Sequence, residues 1–301
     1  MTNVLRTRLP NGLRILCEGW HQAPVVAMQA WVRVGAADEE PDEAGLAHLH
    51  EHMLFKGTQR RGVGALAHAV EAGGGEINAW TSFDQTVYHL VLEKQGVELG
   101  LDVLADALQN ALFDPTELQR EIEVVVEEIQ RAKDSPASRL SQALFGLAYQ
   151  QHPYRLPILG TEQSVRSVSR EHILKFYKKH YRPDNVTLIV VGDMAPEALA
   201  HKVEQAFGAW ESPAGPHPRK ARQSEPAYAQ PRLHILREDV KETRLAIAHL
   251  GPAIGAPQLP ATDLLATIVG HGESSRLFDE VRRRRGARRQ QLAQALRVEL
   301  R

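Results

Sequence analysis

Alternating apolar and polar positions, the period of a half-buried strand, run through the first half of the chain. Residues 4–17 carry a strand pair broken by Pro10-Asn11-Gly12, a turn signal. Val25 to Val34 is a long apolar strand ending at Gly35. Ile77 to Thr81 and Thr86 to Leu92 are two more alternating strands, and Asn185 to Gly192 is strongly β-branched. Between them the period becomes helical. The spacing predicts helices over 42–56, 63–72 (closed by Gly73-Gly74-Gly75), 97–112, 116–134, 169–180 and 195–207. Asp114-Pro115-Thr116 starts the fourth of these and Ser135-Pro136 breaks it. His152-Pro153-Tyr154 falls in a loop, as a structural feature rather than a metal site.

Residues 211–231, rich in Pro, Ala and charge, read as a linker. The order then begins again, with strands at 232–238 and 244–250 and a helix at 260–270. The pattern of strands and helices predicts an α/β (α+β) protein, and the expected architecture is a mixed, mostly antiparallel sheet with helices packed on it. The expected division is a first domain over 1–212, a linker over 213–231, and a partial second domain over 232–301.

Composition narrows the class. With 301 residues, 43% hydrophobic and 24% charged, the chain has the make-up of a soluble globular protein with room for a sizeable core. A net charge of -1 and a pI near 6.9 give no electrostatic case for nucleic acid or a membrane surface. The single Cys17 excludes an internal disulfide framework and fits a reducing compartment. No signal-peptide core opens the chain and no run approaches the roughly 20 apolar residues of a membrane span. The expectation is a cytoplasmic protein.

The chemistry concentrates in Gly45-Leu46-Ala47-His48-Leu49-His50-Glu51-His52-Met53-Leu54-Phe55. His48, Glu51 and His52 stand at i, i+3 and i+4, which puts all three on one helix face. Two imidazoles one turn apart can hold a zinc ion, and a carboxylate beside them can act as a general base toward water. This is H-x-x-E-H; the forward motif H-E-x-x-H is absent, since Leu54 stands where it would need a histidine. His50 points to another face and is not a ligand candidate. A helix with a few exposed histidines is the competing reading. The apolar flanks argue against it, because buried imidazoles and carboxylates are costly unless paired or metal-bound.

A catalytic zinc site needs a third protein ligand. In the helix from Thr116 to Ile129, Glu121, Val124, Val125 and Glu128 form one stripe, expected to be buried for its two valines. Glu123, Glu127 and Gln130 lie on another, and Glu127 has Arg131 at i+4 as a solvent-facing partner. Glu128 is therefore the candidate third ligand, and Glu121 the candidate partner that orients a histidine from behind. Glu76 is a weaker ligand candidate.

Three stretches in order, Gly45 to Thr58, Gly74-Gly75-Glu76-Ile77-Asn78-Ala79-Trp80-Thr81, and Glu121 to Ile129, resemble the pitrilysin family of inverzincin zinc peptidases. The likeness is closest to its shorter, processing-peptidase-like bacterial members and covers about residues 4–286. It implies the mixed, mostly antiparallel sheet, one zinc per chain on His48, His52 and Glu128, Glu51 as general base, and Glu121 as supporting acid. It also implies that substrate adds as an extra strand to the edge carrying Asn78 and Ala79, a contact that reads main chain more than side chains. Expected substrates are peptides or unfolded polypeptides, hydrolysed at the peptide bond. A homodimer or a heterodimer with a related subunit is an open partner expectation. Neither nucleic acid nor membrane is expected.

Family members carry two such homologous domains, the second without the metal motif. Gly270 to Phe278 matches that second domain's glycine-serine turn and following helix, so His271 reads as a loop residue. After Arg285-Gly286 the likeness stops, and a basic, glutamine-containing tail runs to Arg301, read as a solvated or disordered end. The alternative of a different class is a catalytically silent scaffold subunit that needs a partner chain.

Overall fold

A computed structural model describes residues 4–218, 221–222, 225–226 and 230–285. The tail after Gly286 lies outside the described residues. The chain forms two compact units, 1–129 with 157–220, and 130–156 with 221–301.

The first unit is built on a six-stranded sheet in the order β1-β2-β6-β3-β5-β4. β1 (Val4–Arg8) and β2 (Arg14–Gly19) pair antiparallel across the Pro10–Gly12 turn. β2 pairs parallel with β6 (Val186–Gly192), the one parallel step. β3 (Val25–Val32) runs antiparallel between β6 and β5 (Thr86–Glu93), and β4 (Glu76–Thr81) closes one edge against β5. The sheet is mixed and mostly antiparallel, the fold class expected. β3 stops two residues before the expected Val34.

The helices of this unit are α1 (Leu46–Leu54), α2 (Ala65–Ala72), α3 (Val97–Asn110), the part of α4 (Pro115–Asp134) up to Ile129, α6 (Glu162–Arg166), α7 (Arg170–His180) and α8 (Pro196–Phe207). Their apolar stripes and one face of the sheet make a single core that includes Met28, Leu49, Met53, Leu104, Val125, Phe176 and Leu188. Burying apolar surface contributes about 25 cal/mol per Å².

α4 corrects one expected stripe. Its buried residues are Leu118, Glu121, Ile122, Val125, Val126 and Ile129, whereas Val124 is 41% exposed. The buried arc is centred on Ile122 and Val125, which leaves Glu128 at its half-buried margin. The start of the expected linker also folds onto this unit: Arg182 donates to the carbonyls of Pro213 and Gly215, and the rings of His217 and His180 meet at 3.0 Å.

The second unit contains α5 (Pro136–Ala148) and α9 (Leu259–Gly270). Ser135-Pro136 was expected only to break a helix; it also starts one. Ser135 is the N-cap, its side chain accepting from the Ser138 amide, and Pro136 occupies the first turn, where its missing N–H costs nothing. In the later linker, the Glu225 carboxylate accepts from the amides of Gln150, Gln151 and His152 at 2.8–3.1 Å. His152 is buried, its Nδ1 accepting from the Tyr154 amide. The strands expected at 232–238 and 244–250 do not form. Both stretches lie outside any strand ladder among the described residues, with Leu233, Ile235, Leu245 and Ile247 exposed. Alternation sets which face a strand would bury, but the ladder needs a neighbour to satisfy its backbone. No described helix is long and apolar enough to cross a membrane.

Candidate metal centre

α1 presents the site because its other faces are apolar. Leu46, Ala47, Leu49, Met53 and Leu54 are buried, which leaves His48, Glu51 and His52 together on a half-buried face. Gly45 leads into the helix at φ +91°, a left-handed turn where a Cβ would also lie 2.6 Å from the Leu159 carbonyl oxygen. The side chain of Glu39 receives the amides of Gly45 and Ala47 at 2.9 and 2.7 Å, supplying the cap that glycine lacks. Burial pushes the Glu39 carboxyl up to about 8, with those two amides pulling against it.

α4 brings its carboxylates to the same place. Glu128 Oε2 lies 3.6 Å from His48 Nε2 and 3.8 Å from His52 Nε2. The three residues each offer one ligand atom, all within 4.8 Å of one another. Glu121 lies behind them, its Oε2 3.0 Å from His52 Nδ1 and its Oε1 2.6 Å from Lys56 Nζ. With Nδ1–H donating to Glu121, the neutral His52 ring carries its lone pair on Nε2, toward Glu128. Glu51, on α1, accepts from the Thr81 hydroxyl of β4 at 2.5 Å. Glu76 is exposed at the far end of β4 and is not part of the three-residue cluster. Glu127 is exposed and is not part of it either.

The electrostatics separate the groups. Burial, with His52 nearby, lowers the His48 pKa to about 4, so its ring is neutral at pH 7. Burial also disfavours a charged His52, but the Glu121 hydrogen bond and the charges of Glu128 and Glu51 outweigh it and raise its pKa. Burial would raise Glu121 too, yet the bonds from His52 and Lys56 prevail and hold it ionised. Glu51 is raised by burial, with the Thr81 hydrogen bond working against the rise. A bound cation would reverse the direction at His52, because ligation requires the neutral ring.

Asn78 and Ala79 lie on β4, the edge of the sheet. Asn78 is exposed on one face, and Ala79 is half-buried on the other with Ile77 and Thr81. The Ala79 amide is taken by the Asn78 side-chain oxygen at 2.8 Å, so it points away from β5, along the open edge. His50 sits on the opposite side of α1, fully buried, 4.2 Å from the ring of Tyr181 and stacked on it.

Sequence reasoning missed Glu39, Lys56 and Thr81. Lys56 carries a readable signal, standing four residues after His52. Glu39 and Thr81 reach the site only through tertiary packing, and no local periodicity marks them.

Residues 14–162 match the insulinase family, peptidase family M16. An uncharacterized zinc protease of Rickettsia bellii is 32% identical over 286 residues, covering 93% of this chain and 67% of its own length. The chain belongs to peptidase family M16. That is the family the three motifs resemble, and by class it makes the chain a metalloprotease hydrolase. Residues 167–288 of this M16 chain match the family's inactive domain. An uncharacterized zinc protease of Bacillus subtilis is 30% identical, over 94% of this chain and 68% of its own length. The chain thus spans about two thirds of the curated relatives it matches. A protease from Helicobacter pylori shares the fold at TM-score 0.83 and 24% identity, over 95% of this chain and 69% of that one. The periplasmic protease PqqL of Escherichia coli aligns at TM-score 0.68 and 26% identity, over 74% of this chain and 26% of that one.

Proposed function

We propose that this M16 chain is a zinc-dependent endopeptidase acting on peptides or unfolded polypeptide segments. His48, His52 and Glu128 hold one zinc ion per chain, and Glu51 is the general base. The observation that carries the reading is the convergence of three ligand atoms within 4.8 Å, with Glu51 on the same helix face. The donor set also fits in scale: tetrahedral ligands 2.0–2.1 Å from zinc stand about 3.3 Å apart, and the two ring nitrogens lie 3.6 and 3.8 Å from Glu128. Two neutral imidazoles and one carboxylate make the three-ligand set of a catalytic zinc site.

When bound, zinc supplies Lewis-acid chemistry, polarising the scissile carbonyl and lowering the pKa of a water toward about 7. Glu51 takes a proton from the attacking water and passes it to the leaving amine. Burial raises its pKa toward working pH, which suits a group that must both accept and return a proton. Glu121, held by Lys56, fixes the His52 ring and its tautomer. An extended peptide would add along the open edge at Asn78 and Ala79, where the Asn78 side chain gives up the Ala79 amide to it. A cytoplasmic setting accords with the one free, buried thiol of Cys17.

A second reading rests on the exposed Leu233, Ile235, Leu245 and Ile247. In it the chain is a weak or silent subunit that works beside a second copy or a related chain. Adding a full-length homologue separates the two: the first reading predicts turnover by the chain alone. Glu51→Gln tests the chemistry. It is expected to keep zinc and fold while losing about 10²–10⁴-fold in hydrolysis. Wild-type hydrolysis, or metal loss as complete as in His52→Ala, contradicts the assignment.

A further inference from the structure

The Glu51 carboxylate is aimed by a neighbour that H-x-x-E-H does not contain. Thr81 ends β4, on the strand face it shares with Ile77 and Ala79, and its hydroxyl lies 2.5 Å from Glu51 Oε2. A hydroxyl has one proton, and the surroundings fix where this one goes. Thr86, the cross-strand partner of Thr81, has its Oγ1 3.5 Å away and gives its own proton to the Val34 carbonyl at 3.0 Å. An ionised carboxylate only accepts. Thr81 therefore donates to Glu51.

The position of that hydroxyl is set by backbone. The hairpin tip after Thr81 is tied down where Ala36 and Ala37 donate to the carbonyls of Ser82 and Phe83 at 3.0 and 2.8 Å. Gly35 permits the approach, since a Cβ there would lie 2.4 Å from the Ser82 oxygen. Behind Thr81 the polar groups continue into the core. Thr86 is fully buried, and deeper still the hydroxyls of Tyr181 and Tyr88 meet at 2.6 Å. Glu51, on α1, thus accepts from a hydroxyl at the end of a strand whose following turn is held by two backbone hydrogen bonds.

We infer that Thr81 is the positioning residue of Glu51: its hydroxyl occupies Oε2 and leaves Oε1 as the oxygen that takes the proton from water. Among the described residues Oε1 has no hydrogen-bond donor. In the step, one O–H bond of water breaks and one O–H bond forms at Oε1, while the Thr81 proton stays on its own oxygen. A carboxylate on a flexible side chain loses alignment unless one oxygen is held, and misalignment near the reacting atoms is costly in rate. The inference rests on the reading of Glu51 as general base.

Two substitutions separate positioning from packing. Thr81→Val keeps the branched shape and deletes the hydroxyl; Thr81→Ser keeps the hydroxyl and deletes a methyl. A packing role predicts that Val is tolerated and Ser is harmful, and a positioning role predicts the reverse. The expected result for Thr81→Val is a kcat lower by about 10–100-fold, the value of a hydrogen bond to a charged group, with KM and zinc content unchanged. Thr81→Ser should recover most of that rate. Equal kcat for Val and wild type, or equal loss in Val and Ser, overturns the inference. If Glu51→Gln keeps the wild-type rate, the base assignment itself has failed. A measurement independent of turnover is a double-mutant cycle of Thr81→Val with Glu51→Gln on the urea midpoint of the zinc-free chain. Non-zero coupling is expected, and additive effects overturn the contact.

Discussion

In β3 every second residue is buried: Val26, Met28, Ala30 and Val32 are at most 1% exposed. From Leu233 to Ile247 a similar run of apolar side chains ends in water, Leu233 and Leu245 being 80% and 76% exposed. The difference lies in the neighbours. β3 runs between β5 and β6 and satisfies its backbone on both sides, while helices cover one face. The later stretch has no strand beside it among the described residues. Alternation is therefore a statement about a face to be covered; the ladder decides whether a strand exists.

The largest expected effect of that difference is in hydrogen exchange. Amides of β3, β5 and β6 open only with the whole unit and should exchange at least about 10³-fold more slowly than those of 232–250. Strong protection across 232–250 in a monomeric sample would break the comparison; protection only on adding another chain would identify that chain as the missing neighbour.

Side-chain truncation is expected to separate the two regions by a smaller margin. Leu188 on β6 is fully buried, and Leu188→Ala should cost about 2–5 kcal/mol. Leu245→Ala should stay within about 0.5 kcal/mol, because the side chain is already in water. Equal losses in urea denaturation would mean that Leu245 is covered in solution.

A smaller effect concerns a polar group inside the well-covered region. His50 is fully buried, and neither ring nitrogen has a hydrogen-bond partner among the described residues. Burial, with His180 nearby, pushes its pKa down to about 3. The unfolded chain protonates this ring near pH 6.5 and the folded chain only near pH 3. Between those values the unfolded state binds more protons, so stability falls with falling pH by up to about 1.4 kcal/mol per unit for this group. His50→Leu should raise stability by about 1–3 kcal/mol and flatten the acid limb of a pH–stability curve. A destabilised variant with an unchanged limb contradicts this account of His50.

How far the molecule could be read from its sequence follows the same line between local and distant partners. The strands of the first unit were legible because alternation and turn residues agree at each of them. α1 was legible because His48, Glu51 and His52 share one helix face and need no other element to align them. Glu128 is marked in the sequence only by which face of α4 is buried. A stripe through Val124 lies too far toward solvent, because two adjacent valines say little about where an arc of buried residues is centred. α5 was hidden by Ser135-Pro136, a pair that ends one helix and caps the next. Glu39 and Thr81 carry no local signal, since each meets α1 only after separate segments pack together.

The proposed zinc ion rests on two histidines of α1 and one particular glutamate of α4. Its most direct test is the zinc affinity of Glu128→Gln beside Glu127→Gln, by titration against a competing chelator. Wild-type affinity is expected for Glu127→Gln, whose side chain is exposed and outside the cluster. For Glu128→Gln the expected weakening is about 10-fold or more, since a charged ligand is replaced by a neutral amide that binds zinc poorly. The reverse order, or equal affinities in both, would contradict it.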